Sequence, residues 1–168
     1  LRPIVENFQG EWLKELGDGT LSSFPSAVQA VTCALEIQRI LEHDPELTVR
    51  VGIHIGDIIK KNGDVFGDGV NIASRLEPLA EPGGICVSER VYEDIRNKPE
   101  INSAFQDEQI LKGLDRPIKV YSVFTKMGAV PSEKPDEHKP KTNKSKIPYV
   151  MAGVVIGLPV SYTHLTLP

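Results

Sequence analysis

Apolar and polar side chains alternate along several short stretches of this chain, and such alternation predicts β-strands that are buried on one face. The first two stretches, residues 11–16 and 20–24, flank Gly17, Asp18 and Gly19, which predicts a β-hairpin closed by an Asp-Gly turn. Further strands are predicted at 49–55, 58–60, 85–87, 105–111 and 118–124.

Helical spacing of apolar residues occurs between these strands. Pro25 and Ser26 open a predicted helix that reaches residue 42. A second helix is predicted over 70–80, and a third over 88–95. Strands interleaved with helices, some joined as hairpins and others as crossovers, predict an α/β (α+β) sandwich in which helices pack on a mixed sheet.

The composition limits the number of domains and the kinds of partner. With 168 residues, of which 40% are hydrophobic, the chain can bury one core. The net charge is −4 and residues 1–126 contain no basic block, which argues against a nucleic-acid surface. Cys33 and Cys86 lie far apart in apolar surroundings, so we expect buried thiols in the cytoplasm and no disulfide. The chain begins without Met, and we expect it to be cut from a longer protein.

The composition changes after residue 126. Residues 127–146 are rich in Pro, Lys and Ser and predict a polar linker. The apolar run at 147–160 follows several lysines and predicts the start of a membrane helix that tethers the folded domain to the inner, cytoplasmic face of the membrane. A cytosolic tail is the alternative, since the run is short for a bilayer. The final residues, SYTHLTLP, resemble a read-through artefact and do not contribute to the predicted fold.

Polar side chains gather in a glycine-rich stretch at residues 57–76. Asn71 and Arg75 lie four apart, so they share one face of the predicted helix, and that face would suit a ligand bearing phosphate. The alternative is an ordinary loop followed by a helix whose Arg75 pairs with a surface acid. His54 is a lone histidine in a predicted strand, and we interpret it as structural.

The order and spacing of these motifs resemble the catalytic domain of class III nucleotidyl cyclases, in particular the bacterial adenylate cyclase type. The resemblance covers residues 8–125 and is carried by LKELGDGTLSSF, AVQAVTCALEIQ, VRVGIHIGD, GDVFGDGVNIASRLE, EPGGICVS and LKGLDRPIKVYSV. It implies a ferredoxin-like, palm-type fold. It also implies conversion of ATP to 3′,5′-cyclic AMP and pyrophosphate, by attack of the ribose 3′-hydroxyl on the α-phosphate.

The resemblance also implies roles for individual residues. Asp18 matches a metal-binding aspartate, and two divalent cations, Mg2+ or Mn2+, are expected to activate the hydroxyl and neutralise the triphosphate. Lys14 and Asp64 match the two base-recognition positions. A donor beside an acceptor suits adenine, whose N1 accepts and whose 6-amino group donates, whereas guanine reverses both. ATP is therefore expected over GTP.

Three further residues are implied to act on the ribose and the phosphates. Asn71 matches the residue that orients the ribose, and Arg75 matches the residue that stabilises the charge developing on the α-phosphate. Lys112 falls near a lysine that contacts the terminal phosphates. In homodimeric members the metal aspartates come from one subunit, and the residues matching Asn71 and Arg75 come from the other. A homodimer partner is therefore implied.

One departure from the family pattern concerns the start of the chain. The family's first strand, with its other metal aspartate, and the helices after it would lie upstream of Leu1. We therefore expect the parent protein to be an adenylate cyclase in intracellular signalling, and the 168-residue chain alone to be inactive. The alternatives are an inactive cyclase-like module that binds nucleotide or only dimerises, and the diguanylate cyclase class, against which the lack of a GGDEF-type segment argues.

Overall fold

A computed structural model describes residues 1–17, 19–44, 47–61, 63–112, 116–124 and 152–157, the last range as backbone only. Its helices are α1 (Arg2–Asn7), α2 (Ala27–Leu41), α3 (Asp68–Leu76) and α4 (Glu89–Ile95), and a 3-10 turn (Glu77–Leu79) follows α3. Its strands are β1 (Glu11–Leu16), β2 (Gly19–Phe24), β3 (Arg50–Ile55), β4 (Ile59–Lys61), β5 (Asp64–Phe66), β6 (Ile85–Ser88), β7 (Asn102–Gln109), β8 (Ile118–Phe124) and β9 (Ala152–Gly157).

Most of the strands belong to one mixed sheet. Seven of them are hydrogen-bonded in the order β1-β2-β9-β3-β6-β8-β7. β3 and β6 run parallel, and the other neighbours in this sheet run antiparallel. β4 and β5 form a separate antiparallel hairpin. This architecture confirms the predicted α+β fold with helices packed on a mixed sheet.

Helices cover both faces of the sheet, because successive side chains of a strand point to opposite sides. Val51 and Ile53 of β3 belong to the main core, which they form with the buried faces of α2 and α4. On the other face, Leu76 of α3 packs with Cys86 of β6 and Val120 of β8. The helix predicted to carry functional side chains, α3, thus lies on the opposite face of the sheet from α2 and α4 and packs in smaller apolar clusters.

Local signals account for the bounds of several elements. The side chain of Ser26 accepts a hydrogen bond from the backbone N–H of Gln29 at 3.2 Å, so α2 begins where its predicted cap places it. Both cysteines are free and buried as expected, and burial raises the pKa of the Cys33 and Cys86 thiols to about 12. α1 and β5 were not predicted. The expected linker at 127–146 and the turn residue Asp18 lie outside the described residues.

The membrane helix predicted over 147–160 is wrong for the part of that run which the structure describes. Ala152–Gly157 form β9, which makes five register pairs with β2 and six with β3. Its Val-Val-Ile segment is β-branched, which favours a strand, and the edges of two neighbouring strands pair with its backbone polar groups. Among the described residues, no helix has the length and hydropathy needed to cross a bilayer.

His54 of β3 lies in the interior, next to the end of β6. His54 is 5% exposed, and its Nδ1 lies 2.7 Å from the hydroxyl oxygen of Ser88, which is 2% exposed. Burial and, to a smaller extent, the positive charge of Arg90 lower the pKa of His54 from 6.5 to about 4, although the negative charge of Asp68 opposes part of the shift. At neutral pH the imidazole is therefore uncharged.

Acidification should destabilise the fold through His54. The folded protein protonates this ring only near pH 4, whereas the unfolded chain does so near pH 6.5, so stability falls as the pH drops through that interval. We expect the wild type to lose about 2–3 kcal/mol more than His54→Asn between those pH values, measured by urea denaturation. His43→Asn, which alters an exposed histidine, is the control and should keep the wild-type dependence. Equal pH dependence in His54→Asn and the wild type would contradict the assignment.

The pairing of β9 can be tested by removing one backbone donor. Val155 lies inside β9, opposite Leu21 on one side and Gly52 on the other. Val155→Pro deletes an N–H and orphans a carbonyl, so the free energy of unfolding should fall by about 1–3 kcal/mol or more in urea titrations. Val155→Ile keeps the N–H and the β-branched shape and should keep most of the stability. A proline variant as stable as the wild type would show that residues 152–157 do not hold the sheet together.

Candidate active site

Lys14 and Asp64, which lie 50 positions apart in sequence, form an ion pair in the folded chain. Lys14 projects from β1 and Asp64 begins β5, so the pair links the edge of the main sheet to the β4–β5 hairpin. The register of β1 against β2 shifts between Trp12 and Lys14, and such an irregularity redirects the side chains next to it. The structure thus brings together the two residues predicted to recognise a base.

The carboxylate of Asp64 is held in its charged form. It accepts hydrogen bonds from the Lys14 ammonium and from the backbone N–H of Val65, the latter at 2.8 Å. These bonds lower the pKa of Asp64, the one from Lys14 contributing most. The two side chains are 26% and 45% exposed, so a donor and an acceptor stand side by side where a ligand could reach them.

An exposed apolar surface adjoins this pair, and the sequence analysis did not identify it. Phe66 and Ile59 lie opposite each other in the β4–β5 hairpin and are 53% and 64% exposed. The Lys14 ammonium lies 6.0 Å from the centre of the Phe66 ring. A planar, partly apolar ligand could therefore contact Phe66 while its polar edge faces Lys14 and Asp64. The only sequence signal for Phe66 was an apolar residue two positions after Asp64.

The first turn of α3 depends on glycine. Gly67, the N-cap residue, has φ of 135°, and a Cβ there would lie 2.3 Å from the carbonyl oxygen of Asp57. Gly69 likewise packs against the backbone of Gly56. A Cβ built on Gly69 would lie 2.9 Å from the carbonyl oxygen of Gly56. The glycine-rich stretch thus brings the start of α3 directly onto the end of β3, and α3 begins at Asp68, two residues earlier than predicted.

Asn71 and Arg75 lie on one face of α3, as their spacing predicted. Asn71 is exposed and Arg75 is half-buried. Among the described residues, no carboxylate forms an ion pair with Arg75, so the reading in which it neutralises a surface acid finds no support there. A half-buried guanidinium without a carboxylate partner can bind an anion.

The structure says less about the two remaining candidate site residues, Lys112 and Asp18. Lys112 is exposed in a turn after β7, and no hydrogen bond or ion pair joins it to the other candidate residues in the described ranges. Asp18 lies outside those ranges. The described residues include no group of three or more His, Cys, Asp or Glu side chains that could hold a metal ion.

Solved structures share this fold. An adenylate/guanylate cyclase/hydrolase from Silicibacter pomeroyi superposes with a TM-score of 0.69 at 38% identity, covering 73% of this chain and 76% of that one. The adenylyl cyclase CyaB from P. aeruginosa superposes with a TM-score of 0.61 at 24% identity, covering 79% of this chain and 78% of that one. The palm-type fold expected from the sequence is thereby confirmed.

Curated relatives agree. A protein of Rhizobium meliloti (strain 1021), whose name classes it provisionally as adenylate cyclase 3, is 38% identical over 129 residues, or 73% of this chain. An adenylate cyclase of Streptomyces coelicolor (strain A3(2)) is 38% identical over 89 residues, or 51% of this chain. The chain spans 22% and 23% of the lengths of these two proteins.

A family model supports the same relationship over most of the folded region. The model for the adenylate and guanylate cyclase catalytic domain matches residues 22–125, a range that runs from β2 through β8 and contains Asp64, Asn71 and Arg75. This match agrees with the family resemblance predicted from the motifs. The chain therefore belongs to the adenylate and guanylate cyclase catalytic domain family.

Proposed function

We propose that this chain is the catalytic domain of an adenylate cyclase, which converts ATP to 3′,5′-cyclic AMP and pyrophosphate. The observation that carries the proposal is the contact between Lys14 and Asp64. Membership of the cyclase family leaves the base open, whereas the register that the resemblance implies, with Lys14 at N1 and Asp64 at the exocyclic group of position 6, suits adenine and opposes guanine. ATP is a cytoplasmic substrate, so we place the domain in the cytoplasm, where its product would act as an intracellular signal.

Base selection follows from the orientation of donors and acceptors. The Lys14 ammonium would donate to adenine N1, and the Asp64 carboxylate would accept from the 6-amino group. Guanine presents a donor at N1 and an acceptor at O6, so each contact would set donor against donor or acceptor against acceptor. Leaving a polar group unpaired in a binding site is costly, which makes such a mismatch selective.

The side chains of α3 would act on the rest of the nucleotide. Asn71 would orient the ribose so that its 3′-hydroxyl lies in line with the α-phosphate. Arg75 would stabilise the negative charge that develops during transfer, because its fixed set of donors meets phosphate oxygens and its charge survives partial burial. Lys112 would contact the β- and γ-phosphates, which leave together as pyrophosphate.

Two further components lie beyond the described residues of one chain. Divalent cations, Mg2+ or Mn2+, would lower the pKa of the 3′-hydroxyl and offset the phosphate charge, with Asp18 as one of their ligands. We propose that Asp18 serves the Asn71 and Arg75 of a second copy across a twofold axis. We do not include a membrane anchor in the proposal, because residues 152–157 form a strand.

A second candidate function is a nucleotide-binding module without cyclase activity. The described residues hold no cluster of carboxylates for metal, which is what such a module would show. A guanidinium on α3 that has no ion-pair partner among the described residues, in a chain that also pairs Lys14 with Asp64, favours the enzyme. The two functions differ in one result, the formation of cyclic AMP by a protein that binds ATP.

The enzyme proposal is tested by assaying the complete gene product with ATP and Mg2+ or Mn2+. Arg75→Ala should lower kcat by about 100-fold or more, because removing one preorganised charge contact costs that much in comparable sites. Arg39→Ala, which removes an exposed arginine paired with Glu36 on α2, should keep wild-type activity. Asp18→Ala should also be inactive.

Mixing the two inactive variants tests the shared site. A dimer of Asp18→Ala with Arg75→Ala has one intact site out of two, so cyclic AMP formation should recover in part. Recovery that does not exceed the sum of the separate variants would exclude a site built from both copies. ATP binding without any cyclic AMP from the wild type would leave the binding module as the function.

Base selectivity is tested at the Lys14–Asp64 pair. Lys14→Glu together with Asp64→Cys removes the donor-beside-acceptor arrangement, so the ratio of kcat/KM for ATP to that for GTP should fall by about 100-fold or more. Lys60→Glu, which makes the same lysine-to-glutamate change elsewhere in the β4–β5 hairpin, should leave the ratio unchanged. An unaltered ratio in the double variant would mean that these two residues do not read the base.

A further inference from the structure

Gly52 and His54 lie on the face of β3 that meets α3, and Gly56 continues that face one residue beyond the strand. A Cβ built on Gly52 would lie 2.4 Å from the carbonyl oxygen of Ala73, and one built on Gly56 would lie 2.7 Å from the Cα of Gly69. The backbone of α3 therefore rests directly on β3 at two places. His54 is the residue between these glycines, and the alternation of a strand directs its side chain to the same face.

The ring of His54 lies next to Gly56 and is hydrogen-bonded through one of its nitrogens. Its Cδ2 lies 3.2 Å from the position that a Cβ would take at Gly56, beside the contact between β3 and α3. Its Nδ1 forms a hydrogen bond with the Ser88 hydroxyl. Ser88 is the N-cap residue of α4, yet its side chain makes no capping bond. A serine at the N-cap ordinarily stabilises its helix by accepting a hydrogen bond from a backbone N–H of the first turn. In this chain the Ser88 hydroxyl bonds to His54 instead of making that cap.

The charged groups that face this ring come from both neighbouring helices. Arg90 belongs to α4, and its guanidinium donates to the carbonyl oxygen of Ile55, the residue after His54, at 3.3 Å. Asp68 is the first residue of α3. Both act electrostatically on His54. His54 thus lies where β3, α3 and α4 meet, and within the described ranges no hydrogen bond joins its side chain to the residues proposed to bind the nucleotide.

We infer that His54 is a positioning residue: its ring, held by Ser88, fills the space between the two glycine contacts and fixes where α3 presents Asn71 and Arg75. The inference rests on the proposed function, since the placement of these two side chains matters to catalysis only in a cyclase. Lys14 and Asp64 lie on β1 and β5, and neither residue is part of α3. Disturbing the ring should therefore affect the chemical step more than recognition of the base.

Kinetics of the complete gene product test the inference. His54→Leu keeps the bulk of the ring but loses the bond, and Ser88→Ala loses the bond from the other side. Each should lower kcat for ATP by about 10-fold or more while KM changes by less than about threefold. The double variant should be no worse than either single one, because both remove the same bond. His54→Asn, whose amide can bond to Ser88, should recover part of kcat, and His43→Leu should match the wild type.

Hydrogen exchange supplies a readout that does not require activity. Amides of α3 should exchange about 10-fold faster in His54→Leu than in the wild type, whereas those of α2 should not change. If the wild type makes no cyclic AMP, the proposed function fails and the exchange of α3 alone decides the inference. Unchanged kcat and unchanged α3 exchange in His54→Leu would overturn it. Faster exchange throughout the fold, with kcat falling only as the folded fraction falls, would also overturn it.

Discussion

Backbone hydrogen bonds from β9 to β2 on one side and to β3 on the other join two parts of the sheet that share no other ladder. One part is the hairpin that carries Lys14, and the other is the group of strands on which α3 lies. Because a central strand uses both of its edges, the relative position of these two parts follows from the register of β9. The distance between Lys14 and the face of α3 that carries Asn71 and Arg75 thereby depends on the backbone geometry of the sheet.

Two glycines determine how closely α3 approaches β3. Where β3 meets α3, backbone touches backbone at Gly52 and at Gly56, and larger residues would lift the helix from the sheet. Direct backbone contact leaves little freedom for α3 to tilt, which would suit the proposed contacts of its side chains with a phosphate group. Between these two glycines lies His54, whose ring bonds to the Ser88 hydroxyl.

Much of this fold was predictable because its signals are local. Alternation located β1, β3 and β8, and the Ser26 cap located the start of α2. β5 escaped prediction because three residues show no period, and the apolar run around β9 suits a helix or a strand equally until its neighbours decide. At the site, spacing placed Asn71 and Arg75 on one helix face. The approach of Lys14 to Asp64 came from family resemblance, since no local rule joins residues 50 positions apart. The His54–Ser88 bond joins two strands and had no sequence signal of its own.

Lys14 and Asp64 partly satisfy each other's charge without any nucleotide. The ammonium has three N–H donors and the carboxylate has two acceptor oxygens, so each group can also bond to a further partner. Under the proposed function, a base that offers an acceptor to the lysine and a donor to the aspartate would add two hydrogen bonds to the pair. A base with the opposite polarity would add none and would have to leave polar groups unpaired, so selectivity at this position would come from rejection as much as from attraction.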